Sequence, residues 1–309
     1  MVSTQLSFGF SLRLAKPQSC RIREVVIPWA RCRYSWGTVQ PGFIPVFVTR
    51  NTSRRFSAVG ISNGVKANVV LLGLQLYGEL TYRDTYDEAE LAGRFRRCCG
   101  ADAQAFLDLS LLNYLPGMKD NPSDPVNACK FMLYQDPLIQ LFEADTRGYA
   151  MAEHFGILVP LYARYAAENP EYALLFDFYA ALANALALKC VWHEQAGDAV
   201  RSRNRELAAA LADGIPATVE ALNTLRVVWR KLWETTNMPN GFEIIEVRLG
   251  GVAARMSTAG EKMRAFALGE AETIPELEDE SLITKRRPNG SIICTNTMDE
   301  IATPGRIDY

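Results

Sequence analysis

From residue 69 to residue 268, apolar side chains recur every three or four positions with little strand-like alternation. This periodicity constrains the chain more than any other feature in it. A pattern so sustained predicts a stack of helices. The first carries Leu71, Leu74, Leu76, Leu80 and Tyr82 and stops near Asp84; Asp84-Thr85 then offers a cap for a second, with Leu91, Phe95 and Cys98, ended by Gly100. A third runs over 102–115 until Pro116-Gly117 opens a polar loop from Asp120 to Pro125. Pro137 suits the first turn of a helix carrying Leu138, Leu141 and Phe142. Longer helices are expected over 149–168, 172–199, 203–212, 216–235 and 250–268. The connections at 168–170 and 213–216 are short, so neighbouring helices should pack antiparallel.

Roughly three-fifths of the chain thus reads as helix, about double the usual share. The expected fold class is mainly α: a C-terminal helical bundle, with remnants of something α/β before it. At 309 residues the chain can bury one large core or two modest ones. A net charge of -2 gives no general attraction to nucleic acid or to anionic lipid, so neither is expected as a partner. No apolar run reads as long enough to span a bilayer. The seven cysteines are too few for a disulfide scaffold and hold no Cys-x-x-Cys pair. With only His154 and His193 beside them, no metal site is expected. A reducing, cytoplasmic location fits this usage. The alternative is an organelle transit peptide, since the start is poor in acids and carries Ser and Arg.

Charge divides the chain. From Met1 to Gly78 the only acid is Glu24, against Arg13, Lys16, Arg21, Arg23, Arg31, Arg33, Arg50, Arg54, Arg55 and Lys66. Trp29, Trp36, Phe43 and Phe47 interleave without clear period, so this reads as an irregular segment rather than a nucleic-acid arm. Within it, 22–29 reads as a buried strand ending in a Pro-Trp turn, and 43–49 as an edge strand because of Pro45. The expected organisation is 1–68 irregular, 69–148 helical, 149–270 a C-terminal helical domain and 271–309 a tail.

Several segments, read in order, resemble the C-terminal third of family 20 glycoside hydrolases, the β-N-acetylhexosaminidase family. They are Gly73-Leu-Gln-Leu-Tyr-Gly-Glu79, 106–117, Leu133-Tyr-Gln-Asp-Pro-Leu138 and 182–189. The fullest is Trp233-Glu-Thr-Thr-Asn-Met-Pro-Asn-Gly-Phe-Glu243, leading to Arg248-Leu-Gly-Gly251, and Ile274-Pro-Glu-Leu-Glu278 continues it. The resemblance implies a (β/α)8 barrel before a helical domain, with 22–29 as the remnant of a late barrel strand. Trp29 then stands at that strand's C-terminal end, where barrels place active-site groups. Residues 30–65 have no counterpart in the resemblance and read as aberrant.

The same resemblance implies removal of terminal non-reducing N-acetylhexosamines from glycoconjugates, without a cofactor. The substrate's acetamido oxygen attacks the anomeric carbon, one carboxylate orients it, and a neighbouring acid protonates the leaving oxygen. That requires an Asp-Glu pair at the end of a middle barrel strand. Asp87-Glu88 falls in a helix first turn, Asp279-Glu280 in an acidic cluster, and Asp299-Glu300 ten residues from the C-terminus. None fits, so no catalytic residue is assigned and this chain alone is expected to be inactive.

Supporting residues remain. Trp29, Tyr134 and Asp136 are candidates for substrate binding, although Trp29 also reads as a core residue and Asp136 as a helix cap. Asn237, Glu243 and Arg248 belong to the best-matched run, where a Glu243–Arg248 ion pair or an Arg248 bond to backbone carbonyls is expected. His193 reads as a helix-surface histidine. A glycan partner follows from the resemblance, and a homodimer through the long Ala-rich helices is a further expectation. The alternative to an enzyme fragment is a non-catalytic helical module that docks on another protein.

Overall fold

The computed structural model describes residues 71–279, apart from 84, 114, 117–127, 142 and 236. The expected strands at 22–29 and 43–49, Trp29 and the tail beyond 279 lie outside the described residues.

Helices dominate, as the periodicity requires. The chain begins with α1 (Leu71–Tyr82), α2 (Glu88–Cys99) and α3 (Ala103–Leu107), which tightens into a 3-10 turn over Asp108–Leu112. Next come α4 (Ala128–Tyr134) and the single turn α5 (Glu143–Thr146). Four elements then account for most of the core: α6 (Met151–Glu168), α7 (Ala173–Arg201), α8 (Arg205–Glu234) and α9 (Phe242–Leu268), followed by α10 (Pro275–Glu278). Consecutive members of this set pack on one another through short turns, so the bundle runs up and down in chain order.

α7 is the centre. It lies between α6 and α8 and is also covered by α4 and α10, so residues are buried around most of its circumference. Together with the preceding turn, Pro170–Arg201 is long and apolar enough to cross a membrane by length and composition. The sequence reading that no run approaches that length is therefore corrected. Burial of α7 among its neighbours accounts for the apolarity: only a narrow stripe with Asp177, Asn184 and Asp198 meets solvent.

The joints are set by local chemistry. Asp87 caps α2 by accepting the Glu90 amide at 2.8 Å, so the helix starts there rather than at Asp84-Thr85. Asn204 caps α8 through the Leu207 amide at 3.0 Å. Gly241, at φ 99, opens α9 in a conformation that suits glycine, and its N–H donates to Glu243. α8 and α9 approach so closely at Gly260 that a Cβ there would sit 2.9 Å from Ile215. At the opposite end of the bundle Phe106 makes edge-on contacts with Phe95, Tyr172 and Phe176, tying α2 and α3 to α7.

Three expectations give way. The two helices expected on either side of 213–216 are one, α8, with Pro216 inside it. Ala208, Leu211, Ala212, Ile215, Thr218 and Leu222 form one continuous buried stripe across the proline, and this packing outweighs the loss of one helical hydrogen bond. α9 begins at Phe242 rather than 250, so Gly250-Gly251 lies within the helix rather than at its start. No helix begins at Pro137, because Asp136 Oδ1 accepts the Leu138 and Ile139 amides at 2.9 and 3.0 Å and folds the chain into a turn.

Candidate functional site

Most of the buried polar groups lie in one place. Residues 135–141 and 143–146 form a strap that leaves α4, crosses α7 beside α9, and ends in α5. Gln135, Asp136, Gln140, Glu143 and Thr146 are all buried along it, as are Lys189 and His193 of α7 beneath it. Buried polar groups are mostly partnered, and two helices supply most of the partners here. Gln140 bonds within the strap, Nε2 to the Pro137 carbonyl at 3.2 Å, while its Oε1 is buried without a partner among the described residues.

α7 contributes from below. Lys189 Nζ donates to the carbonyls of Met132 and Gln135 at 2.6 and 2.5 Å, so it caps the C-terminal end of α4 from another helix. Three residues on, Trp192 Nε1 donates to the Pro137 carbonyl at 2.8 Å. His193 follows, with Nδ1 2.8 Å from Gln135 Nε2 and Nε2 2.7 Å from Thr146 Oγ1. The amide donates to Nδ1, so the ring proton sits on Nε2 and is offered to Thr146. Two turns further, Arg201 donates to Glu143 at 2.8 Å. Glu194 serves a neighbouring joint, accepting the Ala152 amide at the start of α6.

α9 contributes from the side. Arg248, Arg255 and Lys262 are seven residues apart and therefore share one flank of the helix. Arg248 lies close enough to the Tyr134 hydroxyl for its charge to act on it. Arg255 grips both oxygens of Asp136, Nε to Oδ2 at 2.6 Å and Nη2 to Oδ1 at 3.1 Å. Lys262 pairs with Glu276 of α10.

These contacts set the protonation states. Burial alone would raise the Asp136 carboxyl, but Arg255 and the two backbone amides outweigh it and hold the group below its ordinary value. Glu143 is likewise lowered by Arg201 and Arg147 against the effect of burial. Burial pushes Tyr134 up to about 12, so its phenol is neutral. Burial pushes Lys189 down to about 8 and His193 down to about 4, the latter helped by the Lys189 charge. Every carboxylate in the cluster is ionised and already bonded. The arrangement holds segments together; it presents no neighbouring acid and base to a substrate.

The structure brings Tyr134, Asp136 and Arg248 into one cluster and leaves the other candidates elsewhere. Asn237 and Glu243 sit at the α8–α9 connection, where Asn237 Nδ2 donates to the Trp233 carbonyl at 3.3 Å and Glu243 accepts the Gly241 amide at 2.7 Å. The expected Glu243–Arg248 pair does not form; the two side chains leave α9 on different sides. His193 is not on a surface but 6% exposed. The residues missed by sequence reasoning are Lys189, Trp192, Arg201, Glu143 and Arg255. Lys189, Trp192 and His193 fall at i, i+3 and i+4 of a strongly apolar helix, which was the available signal.

The glycoside hydrolase 20C C-terminal domain matches residues 104–294, more than half of the 309. The chain belongs to that family. No curated protein matches it. The match starts within α3 and runs past α10, so the strap and both helices that hold it are parts of the family 20C C-terminal domain. Of the three Asp-Glu pairs, Asp87-Glu88 is accounted for by its capping role, and Glu280, Asp299 and Glu300 lie outside the described residues.

Proposed function

We propose that this family 20C domain supports glycoside cleavage without performing it. Its role in a family 20 β-N-acetylhexosaminidase is to hold α4 and the strap in a fixed position beside the catalytic barrel. The substrate class is a glycan ending in a non-reducing N-acetylhexosamine, cleaved with retention by the acetamido-assisted route on barrel carboxylates. The observation that carries the reading is the commitment of Asp136, which is fully buried and bonded to Arg255 and two amides. A carboxylate so placed can neither orient an acetamido group nor donate a proton.

The purified 309-residue chain is expected to release no nitrophenol from 4-nitrophenyl N-acetylglucosaminide above a buffer blank. Turnover that disappears on mutating a carboxylate of the chain would overturn the reading. The coding sequence upstream of Met1 offers a second check. An apolar strand ending in Asp-Glu supports a fragment of a glycosidase, whereas its absence favours a helical module that docks on a separate protein. The exposed Met238, Ile244 and Val247 at the α8–α9 tip, 78%, 51% and 75% accessible, favour that second reading.

A further inference from the structure

One ionisable group between the bundle and the strap can take up a charge only if their contact gives way. We propose that His193 is an acid-sensitive latch, whose protonation releases the strap from α7 while the α8–α9 hairpin stays folded.

An imidazolium needs an acceptor at each nitrogen. Nε2 already has one in Thr146 Oγ1, but Nδ1 faces the Gln135 amide N–H at 2.8 Å. Gln135, 2% exposed, would have to turn its amide over within a packed interior. Lys189 lies one helical turn earlier on α7, with its ammonium held by two carbonyls, so a second cation here is repelled.

Of the charges around the ring only Glu143 favours its protonation, and burial and the Lys189 charge outweigh it. From the strap, Asp136 is consumed by Arg255 of α9. From α5, Glu143 is consumed by Arg201 of α7 and by Arg147. On α7 itself, Glu194 is spent on the start of α6, and Cys190, fully buried, is kept a neutral thiol by that burial. Arg248 of α9 faces Tyr134 and adds only positive charge.

Burial accordingly pushes the ring down to about 4 from an ordinary 6.5. In the released strap the ring is solvated and titrates near its ordinary value. As pH falls below 6.5, the open form therefore binds a proton that the closed form does not, and opening becomes easier until about pH 4. Between pH 7 and pH 5 the opening constant should rise roughly twentyfold, from the two protonation constants taken together. Asp136 and Glu143 are both held below ordinary values of 3.8 and 4.5, so within the cluster that interval belongs chiefly to His193.

The inference concerns this chain alone and does not depend on the glycosidase reading. Hydrogen–deuterium exchange of the 309-residue protein at pH 7, 6 and 5, corrected for intrinsic rates, reads it directly. Peptides covering 135–146 should open roughly twentyfold more readily at pH 5 than at pH 7, with α8 and α9 unchanged. His193→Gln should flatten that slope, and His154→Gln should leave it intact. A flat strap profile in the natural chain, α8 and α9 opening in step with it, or an unchanged slope in His193→Gln would each overturn the proposal. Should His193→Gln fail to fold, nitrogen-15 spectra of the histidine rings decide instead. The expected result is a neutral ring with its proton on Nε2 down to pH 5, and a His193 ring titrating near pH 6.5 in the folded chain overturns the latch.

Discussion

The α8–α9 hairpin and the strap are held to the same bundle by opposite means. In the hairpin, Ile215, Leu222, Leu225 and Trp229 of α8 and Ile245, Leu249, Met256 and Met263 of α9 are buried, the two helices pack along their length, and polar contacts stay at the rim. In the strap the fixing contacts are polar: Lys189, Trp192 and His193, buried on α7, and the half-buried Arg255 of α9. Apolar packing is non-directional and tolerates small shifts, whereas a hydrogen-bonded cluster specifies one position for each backbone carbonyl it grips. The hairpin therefore contributes stability, and the strap contributes position.

The largest effect that would test this division is Arg255→Ala. It leaves the Asp136 carboxylate, with no exposed surface, without its charged partner. Removing one member of a fully buried pair costs about 3–5 kcal/mol; no more than the low end is expected here, because Arg255 is itself 36% exposed and Asp136 keeps its two amide donors. Urea unfolding measures the loss. A change within experimental scatter would mean that the strap is held by packing like the hairpin, and the contrast between the two regions would vanish.

How far each region was legible in the sequence follows the same contrast. The hairpin helices announce themselves because their core stripes recur every three or four residues, although Pro216 and Gly250-Gly251 suggested breaks that long-range packing overrides. The strap was half legible. Tyr134, Asp136 and Arg248 were singled out, but each has its side-chain partner more than a hundred residues away, and no local pattern joins Asp136 to Arg255. His193 was misplaced for a related reason. α7 is buried around most of its circumference, and its exposed polar stripe is narrow, Asp177, Asn184 and Asp198, so a buried histidine does not stand out.

A smaller effect sharpens the electrostatic half of the comparison. Burial holds the Lys189 amine at about 8 in the folded chain, against 10.5 when exposed. Between those values the unfolded chain carries a proton that the folded chain lacks, so raising the pH favours folding. This runs opposite to a lysine stabilised by an acid. Raising the pH from 8 to 9.5 should add about 1.6 kcal/mol from this group, the slope reaching roughly 1.4 kcal/mol per unit only once the folded amine has lost its proton. Lys189→Met should remove that increment, as read from urea midpoints at the two pH values. The buried thiols of Cys129 and Cys190, both pushed up by burial, oppose this trend in either chain, so the difference between the two chains is decisive. A pH change no less favourable in Lys189→Met than in the natural chain would show that the ammonium, rather than the amine, is the form the cluster prefers.

The smallest effect belongs to the hairpin. Glu246 of α9 lies 3.1 Å from Arg226 and 3.8 Å from Arg230 of α8, and all three side chains are about a third or more exposed. Solvent screens such pairs, and holding two long side chains in one geometry costs entropy, so a double-mutant cycle on Arg226 and Glu246 should return about 0.2–1 kcal/mol. The coupling should also shrink as salt is raised, because the charges lie within reach of mobile ions. If the cycle instead matched the loss at Arg255, the hairpin would rely on directional contacts as much as the strap does. The apolar stripe buried from Ala208 to Trp233 on α8 argues that it does not, since that surface stays covered whether or not the rim charges meet.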